Sequence, residues 1–304
     1  MARIADIIAD RDEQIGWMEP LSIGFDSRHR EALTDLALDL TQKASGFRRS
    51  LPASMLVSLA DLVRAMNCYY SNFIEGHYTH PIDIEKALTN DYSQDARKRN
   101  LQMEAKAHVE VQRWIDGGGL SGGRAVTEDG IREIHRRFCE LLPEDLLWME
   151  DPESHERKRL VAGEFRKGDV KVGGHVAVSP GALHRFLNRF EQVYGRTGKT
   201  ESILSTAAAH HRLLWIHPFL DGNGRVARLM SHATMLETLN TGGVWSVARG
   251  LARNMQQYKM LLSNCDQTRR NDLDGRRFAL MARVLHRRDR GSAVGSKRHL
   301  RDVG

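Results

Sequence analysis

The chain has 304 residues, of which 41% are hydrophobic and 28% charged, with 26 Gly and 7 Pro. This balance is typical of a globular protein and excludes a fibrous or intrinsically disordered chain. Lys and Arg outnumber Asp and Glu by 45 to 39, a net charge of +6 that raises the question of an acidic or nucleic-acid partner.

Cysteine usage and the N-terminal sequence indicate the compartment. Cys68, Cys139 and Cys265 are odd in number and far apart, so neither a disulfide framework nor a cysteine zinc site is predicted. The segment 1–16 is too densely charged for a secretion signal. No uncharged run approaches the ~20 residues that cross a bilayer. We therefore expect a cytoplasmic protein with no membrane partner.

The N-terminal part of the chain has helical periodicity. Apolar stripes are marked by Leu33, Leu36 and Leu40, by Leu59, Leu62, Val63 and Met66 after Pro52, and by Met103, Ala107, Val111 and Trp114. Apolar residues three or four apart predict helices that bury one face. The last stripe stops at a run of glycines that begins at Gly117. We expect a helical region over 1–116, with one helix at about 53–76.

The pattern continues beyond the glycines. Thr127 is a predicted N-cap, Ser179 and Pro180 are a predicted N-cap and first-turn pair, and Thr200 is predicted to open a further helix. Between these helices, valines alternate with polar residues on both sides of Gly173 and Gly174, which predicts a short β-hairpin. The sequence therefore predicts an all-α fold with one small hairpin, and a core over 117–267.

One segment, 217–228, departs from the helical pattern and reads HPFLDGNGRVAR. Pro218 disfavours a helical residue before it, so the preceding helix should end there, and a new helix is predicted to start near Arg225. Gly222 and Gly224 allow backbone N–H groups to turn inward beside the positive end of that helix. The segment therefore predicts an anion-binding loop between two helices.

The charged residues of this loop suit a polyphosphate. Arg225 and Arg228 are three residues apart and share a helix face, and the amide of Asn223 is a further donor. Asp221 offers the hard oxygen ligand that Mg²⁺ prefers. His217 titrates near neutrality and is suited to take a proton from an attacking hydroxyl.

The segment resembles the signature loop of the Fic-domain family, H-P-F-x-[D/E]-G-N-G-R-x-x-R, at every fixed position. The resemblance implies a Fic-type helical bundle with ATP as substrate and Mg²⁺ as cofactor. It further implies that the enzyme transfers AMP to a Ser, Thr or Tyr hydroxyl of a target protein, as a protein adenylyltransferase.

The resemblance also implies a role for each loop residue. His217 would be the general base, Phe219 a buried anchor and Asp221 the Mg²⁺ ligand. Asn223 and the backbone of Gly222 and Gly224 would cradle the α- and β-phosphates, and Arg225 and Arg228 would hold the β- and γ-phosphates.

The predicted hairpin resembles the flap that lies across the active site in this family. The flap would span 163–178, and its candidate target-binding residues are Val170, Lys171, Val172, Gly173 and Gly174. An exposed strand edge there would pair with an extended segment of the target through main-chain hydrogen bonds. Without the neighbouring loop, the same pattern would indicate an ordinary surface hairpin.

An upstream segment resembles the family's inhibitory motif, [S/T]-x-x-x-E-[G/N]. Its residues are Ser71, Glu75 and Gly76, at the predicted end of the helix 53–76. The position implies the class whose inhibitory helix is N-terminal in the same chain. We expect Glu75 to pair with Arg228 and to occupy the space of the γ-phosphate.

Other readings remain open. The sequence from Gly195 to Thr200 ends like a phosphate-binding P-loop but lacks its first glycine and a preceding strand, so a helix–helix turn is expected. His210 and His211 lack a metal-binding pattern. We expect His211 in the core, and His210 at the surface or behind the catalytic loop.

The basic charge is concentrated at the C-terminal end. Residues 268–304 contain eleven Lys and Arg against four Asp, so residues 1–267 sum to −1. A nucleic-acid-binding protein that uses this tail is therefore one alternative, although nucleic acid is not the expected partner. An enzyme that mainly removes AMP from its target is another. Self-modification is expected, and a homodimer remains open.

Overall fold

The computed structural model describes residues 9–150, 155–195 and 197–266. The basic tail at 268–304 lies outside the described residues. Ten α-helices are described: α1 Arg30–Arg49, α2 Ala53–Glu75, α3 Pro81–Leu88, α4 Ala96–Asp116, α5 Glu128–Glu140, α6 Leu183–Tyr194, α7 Lys199–Ile216, α8 Asn223–Leu239, α9 Val247–Arg253 and α10 Met255–Asp266. The prediction of an all-α fold is confirmed.

Local sequence signals account for several helix ends. Asp95 accepts a hydrogen bond from the backbone N–H of Lys98 and begins α4, and Thr127 does the same for α5 with Gly130. Gly76 ends α2 in the left-handed region at φ +84°, which relieves the last carbonyls of the helix. The short helix α3 was not predicted, because eight residues span too few turns to reveal a period.

One sequence expectation was met in position only, and another was wrong. Ser179 is an N-cap residue with Pro180 in the first turn, but its side chain makes no cap bond, because its hydroxyl and its N–H both bind the carboxylate of Glu13. A 3₁₀ turn at Pro180–Ala182 therefore precedes α6. Leu62, which was assigned to the apolar stripe of α2, is 55% exposed.

Two short antiparallel hairpins complete the described elements. β1 (Trp148–Glu150) pairs with β2 (Arg157–Arg159), and this hairpin was not predicted. β3 (Lys171–Val172) pairs with β4 (His175–Val176), as expected from the valine alternation. Gly173 makes the turn between β3 and β4 at φ +59°, a conformation that favours glycine.

The core is built around α7 and α8, which pack against each other. These are the helices that precede and follow the candidate loop. Both helices are buried on most of their faces, and α1, α5 and α6 pack around them. A second, smaller apolar cluster lies between α2, α3 and α4. The 217–228 loop is therefore held at both ends by the most buried helices. Within the described residues, no helix is both long and apolar enough to cross a bilayer.

Candidate active site

His217 stands where α7 ends. Its backbone is left-handed at φ +51°, and Pro218 follows, so the chain leaves the helix at this residue. The Nδ1 atom lies 3.2 Å from the carbonyl oxygen of Leu214, which suits an Nδ1–H donor and leaves Nε2 as the unprotonated nitrogen. Burial lowers the pKa of His217 to about 4, so the ring is neutral at physiological pH.

Phe219, the aromatic residue of the loop, anchors the loop to the core. Phe219 is fully buried and stacks on His135 with ring centroids 3.8 Å apart and planes 3° from parallel. The side chain of Asn223 bonds both polar groups of the Phe219 backbone: Phe219 N–H donates to its Oδ1 at 3.0 Å, and its Nδ2 donates to the Phe219 oxygen at 2.9 Å. The Asn223 amide therefore braces the loop, and one Nδ2 hydrogen remains for a ligand.

The anion cradle lies at the start of α8. Gly222 is the N-cap at φ +80°, and the helix begins at Asn223, two residues earlier than expected. The backbone N–H groups of Asn223 and Gly224 therefore belong to the first turn, whose positive dipole favours an anion. The carboxylate of Asp221 lies just before this turn and forms no ion pair with any described residue.

Arg228 projects from the next turn of α8 toward α2. Its Nη2 donates to Oε1 of Glu75, and its Nε donates to the hydroxyl of Ser71 at 2.8 Å. The Arg228 side chain is 2% exposed, whereas the Glu75 side chain is 32% exposed. Burial alone would raise the pKa of Glu75, but Arg228 and Arg225 hold it below its usual range, so the carboxylate is ionised.

The Glu75 carboxylate also lies against the cradle itself. A Cβ placed on Gly224 would lie 2.3 Å from Oε1 of Glu75 and 3.2 Å from Nη1 of Arg228. Only glycine admits this approach, because a side chain would collide with the carboxylate. The carboxylate is thus an internal anion at the N-terminal turn of α8.

Arg225 does not accompany Arg228. Its side chain is 6% exposed, forms an ion pair with Glu104 of α4, and places the guanidinium carbon 5.3 Å from the ring centroid of Phe138. Its Nη2 is also 3.1 Å from Nδ1 of His77, which is itself 2.7 Å from Oε2 of Glu104. The two arginines, expected on one face, therefore contact different acids, and only Arg228 contacts a carboxylate at the cradle.

The hairpin is tied to the end of α7. Nε2 of His175 lies 2.7 Å from the carbonyl oxygen of Trp215, and the N–H of Arg166 donates to the carbonyl of Pro218 at 3.0 Å. Val172 and Val176 are 45% and 40% exposed. The candidate target-binding residues thus stand in a hairpin whose base contacts the His217 loop.

Sequence reasoning missed two residues that shape the site. His135 stacks on Phe219, and its Nδ1 accepts the N–H of Gly163 at 2.9 Å, which joins α5, the hairpin base and the loop. A histidine four residues after Ile131, on the apolar stripe of α5, was the available signal. Glu104 gave a similar signal, because it lies among buried residues of α4.

The two histidines of α7 outside the loop are core residues. His210 is fully buried, with Nδ1 at 2.9 Å from the Ser231 hydroxyl and Nε2 at 2.8 Å from the Tyr258 hydroxyl. His211 is also fully buried, as expected, and lies 3.0 Å from a carboxylate oxygen of Asp266. The option of a surface position for His210 was therefore wrong.

Comparison with known proteins places this arrangement in a class. The sequence model of the Fic/DOC family matches residues 125–235, which contain α5, the hairpin, α7 and the loop. A crystal structure of a Fic family protein from Desulfovibrio desulfuricans G20 superposes with a TM-score of 0.62 over 84% of this chain and 72% of that chain. At 14% identity this likeness shows the fold alone. The described helices therefore form a Fic-type fold.

The chain is also similar to curated proteins that are named as adenylyltransferases. The protein adenylyltransferase Fic of Drosophila grimshawi is 35% identical over 170 residues, which are 55% of this chain and 32% of the relative. That of Nematostella vectensis is 30% identical over 194 residues, which are 62% and 41%. The chain thus spans less than half the length of these relatives. The part of the chain that matches the Fic/DOC family model is residues 125–235.

Proposed function

We propose that this protein is an adenylyltransferase that transfers AMP from ATP to a hydroxyl side chain of a target protein. The observation that carries the proposal is a neutral His217 beside the N-terminal turn of α8, in a loop that holds Asp221 and the glycines of an anion cradle. Two relatives named protein adenylyltransferase Fic are 35% and 30% identical to this chain over 170 and 194 residues, and the residues of the loop lie in the region 125–235 that matches the Fic/DOC family model.

The proposed reaction is an in-line displacement at the α-phosphorus. The target hydroxyl oxygen forms a bond to that phosphorus while the bond to the oxygen bridging the β-phosphate breaks, and pyrophosphate leaves. Nε2 of His217 takes the hydroxyl proton, because the contact of Nδ1 with Leu214 leaves Nε2 free to accept. The N–H groups of Asn223 and Gly224 stabilise charge on the phosphates, which is the main demand of phosphoryl transfer.

The donor set fits Mg²⁺ held together with a nucleotide. Mg²⁺ binds proteins through one or two carboxylates plus substrate phosphates and water, and Asp221 supplies one carboxylate that no described residue neutralises. In the described residues, no group of three or more acidic, His or Cys side chains forms a complete protein cage. Mg²⁺ would neutralise charge on the phosphates when it is bound with ATP.

We also propose that Glu75 keeps the enzyme off. Its carboxylate lies against Gly224 and binds Arg228, so it occupies the anion cradle and the guanidinium that a triphosphate would use. An anion cannot be added there without repulsion from a carboxylate that stays ionised. The sequence led us to expect the contact between Glu75 and Arg228. The proposed inhibition rests on competition between the Glu75 carboxylate and the triphosphate for the same groups.

The proposed activity is tested by the position of the label that is transferred. Protein carrying Glu75→Gly is incubated with Mg²⁺ and with ATP labelled at the α- or the γ-phosphate, alone and with candidate target proteins. Protein-bound label from α-labelled ATP only is expected. The matched control adds His217→Ala, which removes the base. Label from the γ-form would indicate kinase chemistry instead, and no label from either form in any mixture would contradict the proposal.

A further inference from the structure

Arg166 is a buried arginine, and among the described residues its side chain binds backbone carbonyls only. It is 4% exposed. Its Nε donates to the His217 oxygen at 2.7 Å, its Nη1 to the Gly168 oxygen at 2.9 Å, and its Nη2 to the oxygens of Val178 and Ile216. A buried charge is costly unless it is paired or fully hydrogen-bonded. The four carbonyls therefore define a built site for one guanidinium.

No carboxylate among the described residues forms an ion pair with this guanidinium. Burial lowers the pKa of Arg166 to about 10, which still leaves it charged at neutral pH. A residue needed only for packing would not require a charge here, because an apolar side chain of similar volume has no desolvation cost. We therefore attribute to the guanidinium a role that an apolar side chain could not fill: its planar set of N–H donors holds several carbonyl groups in fixed positions.

The bound carbonyls bracket the base of the proposed reaction. Ile216 and His217 contribute two of them, and the N–H of Arg166 binds the next carbonyl, that of Pro218, at 3.0 Å. His217 is left-handed at φ +51°, which costs a non-glycine residue on the order of 1–3 kcal/mol unless its surroundings hold it. Three consecutive carbonyls fixed from one residue provide that restraint.

The same side chain reaches the hairpin. Gly168 and Val178 lie on either side of β3 and β4, so the guanidinium joins both ends of the hairpin to the end of α7. We propose that Arg166 is the positioning residue for His217: it holds the turn that aims the imidazole and fixes the hairpin base relative to it. Two experiments test this inference, and only the kinetic one depends on the proposed function.

The kinetic arm uses Arg166→Met in a Glu75→Gly background, with Arg132→Met as the matched control. Arg132 also donates to a hairpin-base carbonyl, that of Gly163 at 3.0 Å, but it is exposed and does not contact the His217 turn. A misplacement of about 1 Å costs on the order of 10²-fold in rate. We expect kcat to fall about 10²-fold for Arg166→Met with KM for ATP within threefold, and no such fall for Arg132→Met.

Arg166→Lys separates charge from geometry. It keeps the positive charge but cannot donate to four carbonyls in a plane, so kcat should recover only in part. It also serves where the methionine variant does not fold, which circular dichroism would show. Full kcat in a folded Arg166 variant, or an equal loss in the Arg132 control, would overturn the inference.

The second arm does not depend on activity. Nitrogen NMR of the His217 ring should show one tautomer, with the proton on Nδ1, in the parent protein and a mixture in Arg166→Met. Burial is the main cause of the lowered pKa of the His217 ring, and the positive charge of Arg166 lowers it further, so the pKa should rise in Arg166→Met. An unchanged tautomer and pKa would contradict a positioning role even if no transfer were detected, whereas failed transfer by the parent protein would bear on the proposed function alone.

Discussion

Glu75→Gly should release the enzyme and weaken the fold at the same time. The substitution removes the carboxylate that binds Arg228 and lies against Gly224. Removing one partner of a fully buried pair costs 3–5 kcal/mol. The Glu75 side chain is 32% exposed, so solvent screens the pair, and we take about 2 kcal/mol, in the range of a charge-assisted hydrogen bond.

The same magnitude sets the expected activation. If ATP must displace the Glu75 contact to bind productively, a free energy of about 2 kcal/mol corresponds to roughly a 30-fold change in the population that binds. The initial rate of self-labelling from α-labelled ATP should rise by about 10- to 100-fold. The free energy of unfolding in urea should fall by about 2 kcal/mol, with up to ~1 kcal/mol more for a glycine in a helix.

Two controls distinguish release from general loosening. Glu85→Gly places a glycine in α3 at an exposed residue without an ion pair in the described structure, so it should not activate. Glu75→Gln keeps the shape but removes the charge, and it should activate to an intermediate degree. A folded Glu75→Gly protein whose labelling rate stays within twofold of wild type would refute the competition between Glu75 and the triphosphate.

Four further outcomes follow from the site. His217→Ala in the activated background should lower the transfer rate by about 10²- to 10⁴-fold while ATP binding, measured by calorimetry, persists. Asp221→Ala should raise the Mg²⁺ concentration needed for half-maximal labelling. Glu104→Gln leaves Arg225 buried without a charged partner and should cost about 3–5 kcal/mol in urea unfolding. Unfolding midpoints should fall from pH 7 to pH 5, since histidines kept neutral in the fold take up protons near pH 6.5 once unfolded. These are His217, His135, His108 and His210, whose pKa burial lowers to about 4, 4, 3 and 3.

The sign of this pH dependence follows from the direction of the shifts. Burial lowers the folded-state pKa of each of these histidines below the usual 6.5, so below that pH the unfolded chain binds more protons. Stability is therefore complete above about pH 6.5 and is lost as the pH falls toward the folded-state pKa. The pKa of the Glu75 carboxylate lies below its usual range, so acidification to pH 5 should not relieve the proposed inhibition by Glu75.

Bound nucleotide should alter the titration of His217. Negative phosphates near the ring favour its charged form and raise its pKa above the free-enzyme value of about 4. The acid limb of kcat, which reports the enzyme–substrate complex, should therefore lie at higher pH than that of kcat/KM. Coincident limbs would indicate that the triphosphate does not lie near His217.

Local signals in the sequence were sufficient for much of the fold. Thr127, Asp95 and Pro218 act within one or two turns of their own position, so their effects could be predicted from neighbouring residues. The hairpin turn at Gly173 was predictable for the same reason. Ser179 occupies its expected N-cap position, but its side chain makes no cap bond, because Glu13, far away in sequence, binds its hydroxyl and N–H.

Side-chain partners across the fold were less predictable. The three-residue spacing of Arg225 and Arg228 suggests that they bind one shared ligand. In the structure, however, Arg225 forms an ion pair with Glu104 on α4, and Arg228 forms one with Glu75 on α2. The contact of Glu75 was expected only from the resemblance to a family motif. Arg166 stood in a segment that looked like a flap, but its four carbonyl partners come from two separate stretches of chain, and no sequence period encodes such a contact.

Intact-mass spectrometry after incubation with ATP and Mg²⁺ tests AMP transfer most directly. The Glu75→Gly protein should gain the mass of one or more AMP groups, and fragmentation should place each group on a Ser, Thr or Tyr hydroxyl. The same protein with His217→Ala should keep its original mass. A gain equal to a phosphate group, or an equal AMP gain in the His217→Ala protein, would contradict AMP transfer with His217 as the base.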